Sequence, residues 1–184
     1  MRDREIEPTA GTPASNGLDT LVILFTDVTD STALTERLGD VAFWAKADEL
    51  DTAVRFVVGD CGGEVIEGTT LGDGHLATFP SGPRAIECAN RAHDCARSVG
   101  FQIHVGLHAG DVVRSATNVH GTAVKIAACV CSQAAPGQTL VSESVRNLAR
   151  TSAATEFTDH GLHQLKGITD PHRLYAATPQ TSRT

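Results

Sequence analysis

A ferredoxin-like α/β sheet is the fold class that this sequence predicts, and three observations predict it. Apolar runs of strand length alternate with stretches of helical period along the chain. Their order is strand, helix, hairpin, helix, strand, the βαββαβ order of a ferredoxin-like α+β domain, and more strand-like segments follow as a C-terminal extension. With 184 residues, of which 41% are hydrophobic, the chain has the size of one domain with a full core.

The elements of the βαββαβ part follow from apolar spacing and from breaker residues. A continuous apolar run predicts a buried strand over 20–27, and helical spacing predicts a helix over 40–58, with a short helical stretch, ALTERLG, between them. Two short strands, GEVIEGTT and GHLATFP, flank the turn LGDG as in a hairpin. Ser-Gly-Pro opens a helix over 81–99, and FQIHVGLHAGDVV is a strand region expected to turn at Ala109-Gly110.

The C-terminal extension begins with a helix over 121–135 and a short strand, QTLVS. Ser142 is expected to cap a helix over 142–150. Short terminal strands are expected for TEFTDHG, LHQLKG and HRLYAAT. Residues 1–18 are polar and aperiodic, which indicates a flexible N-terminal segment, so the predicted domain is 19–178 with a polar tail over 179–184.

Composition limits the functions open to this chain. The net charge of -7, with no Lys/Arg-rich block, argues against nucleic-acid binding, so a small anionic ligand would need a metal ion or oriented backbone amides. No apolar run has the length of a membrane span and the N-terminus lacks a signal-peptide core, so we expect a cytoplasmic protein. Five irregularly spaced cysteines suit reduced thiols, and Cys129-Val-Cys131 has the wrong spacing for a zinc site.

Two aspartates lie at the ends of predicted strands. Asp27 ends the first strand, and the hairpin turn would bring Asp73 beside it. Two converging carboxylates repel each other unless a divalent cation joins them, which makes the pair a candidate Mg²⁺ site. Directly after Asp27, the amides and hydroxyls of residues 28–32 precede a helix and suit a phosphate group. Taken singly, Asp27 as a helix cap and Asp73 as a turn residue remain open alternatives.

Five segments in order carry a resemblance to a known family: FTDVTDST (25–32), LGDGHLATF (71–79), IHVGLHAGDVV (103–113), HGTAVKIAACVCSQAAPGQTLVS (120–142) and HGLHQLKGITDPHRLYA (160–176). Together they resemble the class III adenylate/guanylate cyclase catalytic domain over roughly residues 20–177. The resemblance implies the nucleotide cyclase fold, a head-to-tail homodimer with ATP or another NTP at the interface, and two ions of Mg²⁺ or Mn²⁺ that assist formation of cyclic nucleotide and pyrophosphate.

The resemblance also assigns roles to residues that match the family's motifs. Asp27 and Asp73 resemble the metal-binding and catalytic carboxylates, and Val28 offers a carbonyl oxygen to the metal. Lys166 resembles the lysine that reaches the triphosphate, although a surface lysine in a turn is the plainer interpretation. The phosphate loop corresponds to Phe25 together with the amides of Val28, Thr29, Asp30, Ser31 and Thr32.

The other half of the implied site departs from the family. Thr69 stands where adenylate cyclases have a base-reading lysine, and Asn118 where an aspartate or threonine is common. Lys125 and Cys129 replace the asparagine and arginine that orient the ribose and stabilise charge on the phosphate. A thiol does not supply the arginine's donors, a loss of about 3 to 4 kcal/mol, or roughly 10² to 10³ in rate. Lys125 either restores some charge or is an ordinary solvated lysine.

Two functions of different class are consistent with this pattern. One is a metal-dependent nucleotide cyclase, weak because its base-selecting and transition-state residues are substituted. The other is an inactive cyclase-like module that dimerises, binds metal-NTP and acts as a regulatory partner of another chain. The histidines His75, His104 and His108 are interpreted as packed or surface residues, because no third ligand is evident beside them.

Overall fold

A computed structural model describes residues 17–67, 74–115, 117–151 and 154–180 of this chain. Strands and helices alternate as predicted. In chain order they are β1 (Leu18–Val28), α1 (Ser31–Leu38), α2 (Asp40–Asp60), β2 (Glu64–Val65), β3 (His75–Phe79), α3 (Gly82–Ser98), β4 (Ile103–Arg114), β5 (Val119–His120), α4 (Thr122–Gln133), β6 (Thr139–Ser142), α5 (Glu143–Ala149), β7 (Thr155–His163) and β8 (His172–Pro179).

The strands of these ranges form one mixed sheet in the order β2-β3-β1-β4-β6-β8-β7, with β5 paired to β4. In the ferredoxin-like part, β1 lies between β3 and β4 and is antiparallel to both. The extension joins through a parallel pairing of β4 with β6, and β8 and β7 follow as antiparallel neighbours. The predicted α/β fold with a C-terminal extension is therefore confirmed.

Helices cover both faces of the sheet. On one face, α2 and α3 supply Phe43 and Ile86, which share a core with Leu24 of β1. On the other face, α4 packs Ala127 into a separate cluster with Ile23. Because successive side chains of a strand point to opposite faces, the odd-numbered residues of β1 face α4 and the even-numbered ones face α2 and α3. This alternation decides which face carries the candidate site at the end of β1.

Glycines of β4 let α4 lie directly on the strand. A Cβ atom built on Gly106 would be 2.1 Å from the backbone nitrogen of Cys131 and 2.4 Å from its Cα. About two turns earlier in α4, a Cβ on Gly110 would be 3.0 Å from the Cβ of Ala123. A side chain at residue 106 would overlap the helix backbone, so this glycine sets the distance between α4 and the sheet.

The expected turn at Ala109-Gly110 was wrong. β4 continues through both residues to Arg114, since β1 is long enough to pair with it throughout, with Val22 opposite Ala109 and Leu21 opposite Gly110. A complete partner strand outweighs the turn preference of a glycine. The two-residue strand β5, which pairs with the end of β4, was not predicted.

Two other expectations differ at the C-terminal end. Ser142 makes no side-chain cap to α5, because its hydroxyl bonds instead with His108 and Ser144, each at 2.9 Å. LHQLKG is not a strand of its own: β7 includes its first two residues, and the rest leads to β8. Within the described ranges, no helix combines the length and apolar character needed to cross a membrane.

The predicted domain limits fall close to the ends of the sheet. β1 already begins at Leu18, and β8 runs to Pro179, after which the Gln180 amide donates to the Ala154 carbonyl at 3.0 Å. The proposed N-terminal segment lies, apart from its last two residues, outside the described residues. The last four residues of the predicted tail, and the LGDG turn as far as residue 73, also lie outside them.

Candidate active site

Asp27 is the last residue but one of β1, and its side chain lies on the α4 face, where it is 56% exposed. A cavity of about 350 Å³ adjoins it, with a wall formed in part by Gly74, Ala128 and Ser132. Asp27 is not the cap of α1, since the residue at that position is Asp30, which makes no side-chain cap bond either. An open carboxylate beside a cavity is available to a ligand at little desolvation cost.

His104 lies directly across from Asp27 on β4. The two residues are opposite each other in the β1–β4 pairing, and Nε2 of His104 is 3.4 Å from Oδ2 of Asp27. In the described part of the chain, this imidazole is the basic group within ion-pairing distance of the carboxylate. The sequence analysis interpreted His104 as a packed or surface residue and missed this contact, because the strand register was needed to find it.

Gly74 leaves room in front of the carboxylate. A Cβ atom on this residue would be 2.7 Å from the Thr26 carbonyl oxygen and 3.3 Å from Oδ1 of Asp27. The next residue, His75, is buried, with Nδ1 3.2 Å from the Thr26 hydroxyl and Nε2 2.9 Å from Asp51. These contacts tie the start of β3 to β1 and α2. Asp73 and Thr69, the other predicted metal and base residues of this segment, lie outside the described residues.

The predicted phosphate loop follows Asp27 without a break. Val28 is buried and still part of β1, and the amide of Thr29 donates to the Gln102 carbonyl at 2.8 Å. Asp30 has a positive φ of 53°, which turns the chain into α1. The first amides of a helix have no intrahelical acceptor, and Ser31 and Thr32 are the first residues of α1. The buried Thr29 Oγ1 has no hydrogen-bond partner in the described structure.

Of the substituted positions that the structure describes, Lys125 and Cys129 lie on α4 and Asn118 directly precedes β5. Lys125 is exposed, and Cys129 is half-buried, with its thiol donating to the backbone carbonyl of Lys166 at 3.7 Å. Lys166 is exposed in the turn after β7, next to the fully buried Leu165. Asn118 accepts a hydrogen bond from the amide of Val119 at 2.7 Å. The structure therefore brings Cys129 and the backbone of Lys166 together at one end of the molecule.

Buried histidines elsewhere have structural partners. His93 lies 2.9 Å from the Thr139 hydroxyl, and His108 lies at the same distance from Ser142. Burial, reinforced by the charge of Arg97, lowers the pKa of His93 to about 4. Burial, reinforced by His172, lowers the pKa of His108 to about 4. Both are neutral near pH 7, and for His108 this supports its interpretation as a packed residue.

The metal and nucleotide roles can be tested against these features. A carboxylate open to a cavity, the space left by Gly74 and the unpartnered Thr29 hydroxyl suit a hard cation and phosphate oxygens. Burial, reinforced by the charge of Asp27, raises the pKa of the nearby Cys131 thiol to about 12, so this thiol is protonated near pH 7. The residues present therefore fit a divalent cation beside a phosphate group.

No protein-family model matches this chain. Among curated proteins, it is 28% identical over 119 residues to a candidate adenylate cyclase of Rhizobium meliloti (strain 1021), covering 59% of this chain and 20% of that protein. It is 31% identical over 149 residues to an uncharacterized protein of Mycobacterium tuberculosis (strain ATCC 25618 / H37Rv), covering 80% of this chain and 38% of that protein. The chain thus spans about a fifth to two fifths of the length of these relatives.

Solved structures match over almost the whole fold. The adenylate/guanylate cyclase/hydrolase from Silicibacter pomeroyi has a TM-score of 0.78 and 26% identity, covering 89% of this chain and 98% of that chain. The adenylyl cyclase CyaB from P. aeruginosa has a TM-score of 0.81 at 17% identity, covering 91% of this chain and 98% of that chain, and shows the shared fold.

This chain is an α/β domain with the nucleotide cyclase fold. More narrowly, the solved structures that share this fold are class III adenylate/guanylate cyclase catalytic domains, so the resemblance indicated by its five motifs is confirmed.

Proposed function

We propose that this domain binds a metal-nucleoside triphosphate and converts ATP, or GTP, to cyclic nucleotide and pyrophosphate, at a low rate. The observation that carries the proposal is the open carboxylate of Asp27 beside a cavity, with α1 beginning four residues further along the chain at Ser31. A carboxylate and free helix amides are the groups that hold a cation and a phosphate next to each other. Relatives named as adenylate or guanylate cyclases support the reaction class.

Asp27, the carbonyl of Val28 and Asp73 are the residues that we assign to two ions of Mg²⁺ or Mn²⁺, with Asp27 and Asp73 as the catalytic carboxylates. When bound, such ions would neutralise the triphosphate and increase the acidity of the ribose 3'-hydroxyl. Asp27 suits this role because Gly74 leaves Oδ1 uncovered and the side chain is more than half exposed. The carboxylate is therefore accessible to a ligand.

The triphosphate is assigned to the loop after β1 and to Lys166. Since the Thr29 amide is committed to Gln102, the proposed donors are the amides of Asp30, Ser31 and Thr32 together with the Thr29 hydroxyl, which lacks a partner in the described structure. The positive φ of Asp30 turns the chain so that the first amides of α1 face outward from the helix end. An ammonium group on the flexible Lys166 stem would add a mobile positive charge.

The complete site is proposed to need two chains. Lys125 is exposed on α4. Asn118 follows the end of β4, whereas His104 lies near the start of that strand. This separation suits a head-to-tail homodimer in which Lys125 and Asn118 meet the metal-binding half of the partner. The base-reading role is assigned to Asn118 and Thr69. Cys129 provides no cation at the position of the transition-state arginine, so the expected rate is about 10² to 10³ below that of a fully equipped site.

An inactive module that dimerises and holds metal-NTP is the second candidate, and one observation favours it. The Cys129 thiol donates to the Lys166 carbonyl of its own chain, so this position is used in packing α4 against the turn. A packing role of this kind accounts for a cysteine at residue 129 without any catalytic reaction. Such a module would bind nucleotide through the Asp27 half and act on a partner chain.

The experiment is chromatographic detection of cyclic product after incubation of the purified protein with Mn-ATP or Mn-GTP. Asp27→Ala is the test variant, and Asp48→Ala, an exposed aspartate of α2 on the opposite face of the sheet, is the matched control. We expect product from the wild type and from the Asp48 variant, and none from the Asp27 variant. Equal product from wild type and Asp27→Ala would refute the proposed site. Nucleotide binding without any product would favour the inactive module.

A further inference from the structure

The pair formed by Asp27 and His104 has the spacing of two ligands of one metal ion. Nε2 of His104 is 3.4 Å from Oδ2 of Asp27, longer than the roughly 2.7 to 2.9 Å of a strong charged hydrogen bond. Two ligands that each lie about 2.1 Å from an ion, at angles of 90° to 110°, are roughly 3.0 to 3.4 Å apart. The observed separation lies at the upper end of this range, so the two atoms are spaced to share one cation.

Backbone structure holds the two side chains at this distance. They are opposite each other on adjacent antiparallel strands, and both border the cavity of about 350 Å³. The His104 side chain is 21% exposed, compared with 56% for Asp27, so the imidazole forms the more enclosed side of the pair. The carbonyl of His104 accepts a hydrogen bond from the Cys131 thiol at 3.5 Å, which further ties this part of β4 to α4.

We propose that His104 is an additional ligand at the Asp27 metal site and makes this site select a divalent first-row transition metal ion, of the Co²⁺ and Zn²⁺ type, over Mg²⁺. This inference rests on the proposed function, because it takes Asp27 as a metal ligand. Mg²⁺ takes oxygen ligands, whereas imidazole nitrogen suits the later transition metals. One nitrogen ligand beside one carboxylate therefore changes the order of metal preference of the site.

The remaining ligands would be oxygen atoms. Among the described residues, no group of three His, Cys, Asp or Glu side chains converges on a metal position. The Cys131 thiol already donates a hydrogen bond to the His104 carbonyl, so it is not assigned as a ligand. Water, the Val28 carbonyl and phosphate oxygens of a nucleotide complete the coordination in this proposal.

The test measures binding of Co²⁺ and of Mg²⁺ to the full chain by calorimetry, with the visible absorption of Co²⁺ as a report on its ligands. The variants are His104→Gln, Asp27→Asn and, as matched control, His120→Gln, an exposed histidine on β5. We expect His104→Gln to weaken Co²⁺ binding by about 10-fold to 100-fold, the range found when supporting groups of metal sites are lost. Its Mg²⁺ affinity should stay within roughly twofold of the wild type, and His120→Gln should change neither.

The outcomes separate this inference from the proposed function. If Asp27→Asn abolishes binding of both ions while His104→Gln changes both equally or neither, His104 is not a selecting ligand and the proposed site stands. If the wild type binds neither ion, or Asp27→Asn alters neither affinity, both proposals fail. Should His104→Gln not fold, the Co²⁺-loaded wild type with isotope-labelled histidine decides: a strongly shifted imidazole resonance supports the inference, and its absence overturns it.

Discussion

Replacing Gly106 by alanine tests how the sheet sets the position of α4. The new Cβ atom would be 2.1 Å from the Cys131 nitrogen, 2.4 Å from its Cα and 2.7 Å from its Cβ. Ordinary contacts of this kind are near 3.5 to 4 Å, so α4 or β4 must move by about 1 Å or more. All three atoms are the backbone or Cβ atoms of one residue in the last turn of α4, so a side-chain rotation cannot remove the clash.

The expected cost is about 1 to 3 kcal/mol in the free energy of unfolding, the usual range for overpacking a core, or more if α4 detaches. Urea unfolding followed by circular dichroism measures it. The matched control is Gly59→Ala in α2, where a Cβ atom would meet nothing within 4 Å. In that helix position alanine should stabilise the protein by roughly 0.5 to 1 kcal/mol. Wild-type stability in Gly106→Ala would refute the reasoning about the close approach.

The shift should also reach the candidate site. Ala128, Cys131 and Ser132 of α4 form one wall of the Asp27 cavity. An α4 displaced from β4 opens this wall, so metal binding should weaken in Gly106→Ala under conditions where the protein stays folded. Unchanged Co²⁺ affinity in a folded variant would show that the cavity wall is not part of the site.

The remaining predictions concern pH and the substituted half of the site. Because burial lowers the pKa values of His93 and His108 to about 4 from an unfolded value of 6.5, the stability they contribute is complete above pH 6.5 and is lost as pH falls toward 4. Between pH 7.5 and 5 the free energy of unfolding should fall by about 2 kcal/mol for each histidine, measured from urea midpoints. His93→Gln should remove the part of this pH dependence that comes from His93. A stability that does not change with pH would contradict both pKa values. Cys129→Arg combined with Lys125→Asn should increase cyclic product by roughly 10² to 10³ over wild type, measured by chromatography. Adding Asp27→Ala to that pair should remove the gain, and no gain at all would mean that the roles given to these α4 positions are wrong.

Most elements of the fold could be predicted from local pattern. The apolar run of β1 and the helical spacing of apolar residues in α2 and α3 lie within each segment, so the segment alone identifies the element. The turn expected at Ala109-Gly110 was wrong because pairing with β1 overrides local preference, and the cap expected from Ser142 was wrong because its hydroxyl is taken by His108 of a neighbouring strand. Both errors come from partners that are distant in sequence.

The candidate site divides in the same way. Asp27 could be predicted from its position after an apolar run and from the motif around it, and its openness to a cavity suits the role assigned. His104 was interpreted as a packed or surface residue, since 76 residues separate the two positions in the chain and only the strand register sets them opposite each other. The contact of Cys129 with Lys166 likewise depends on how α4 packs against the turn after β7.

The sequence by itself determined the fold class and the family resemblance, because alternating strands and helices and five ordered motifs are properties of the chain alone. The tertiary structure decided which side chains meet: the imidazole beside the carboxylate, the helix that borders the cavity and the thiol used in packing. The physical reason is that periodicity is local, whereas register and helix packing arise from contacts between segments far apart in the chain.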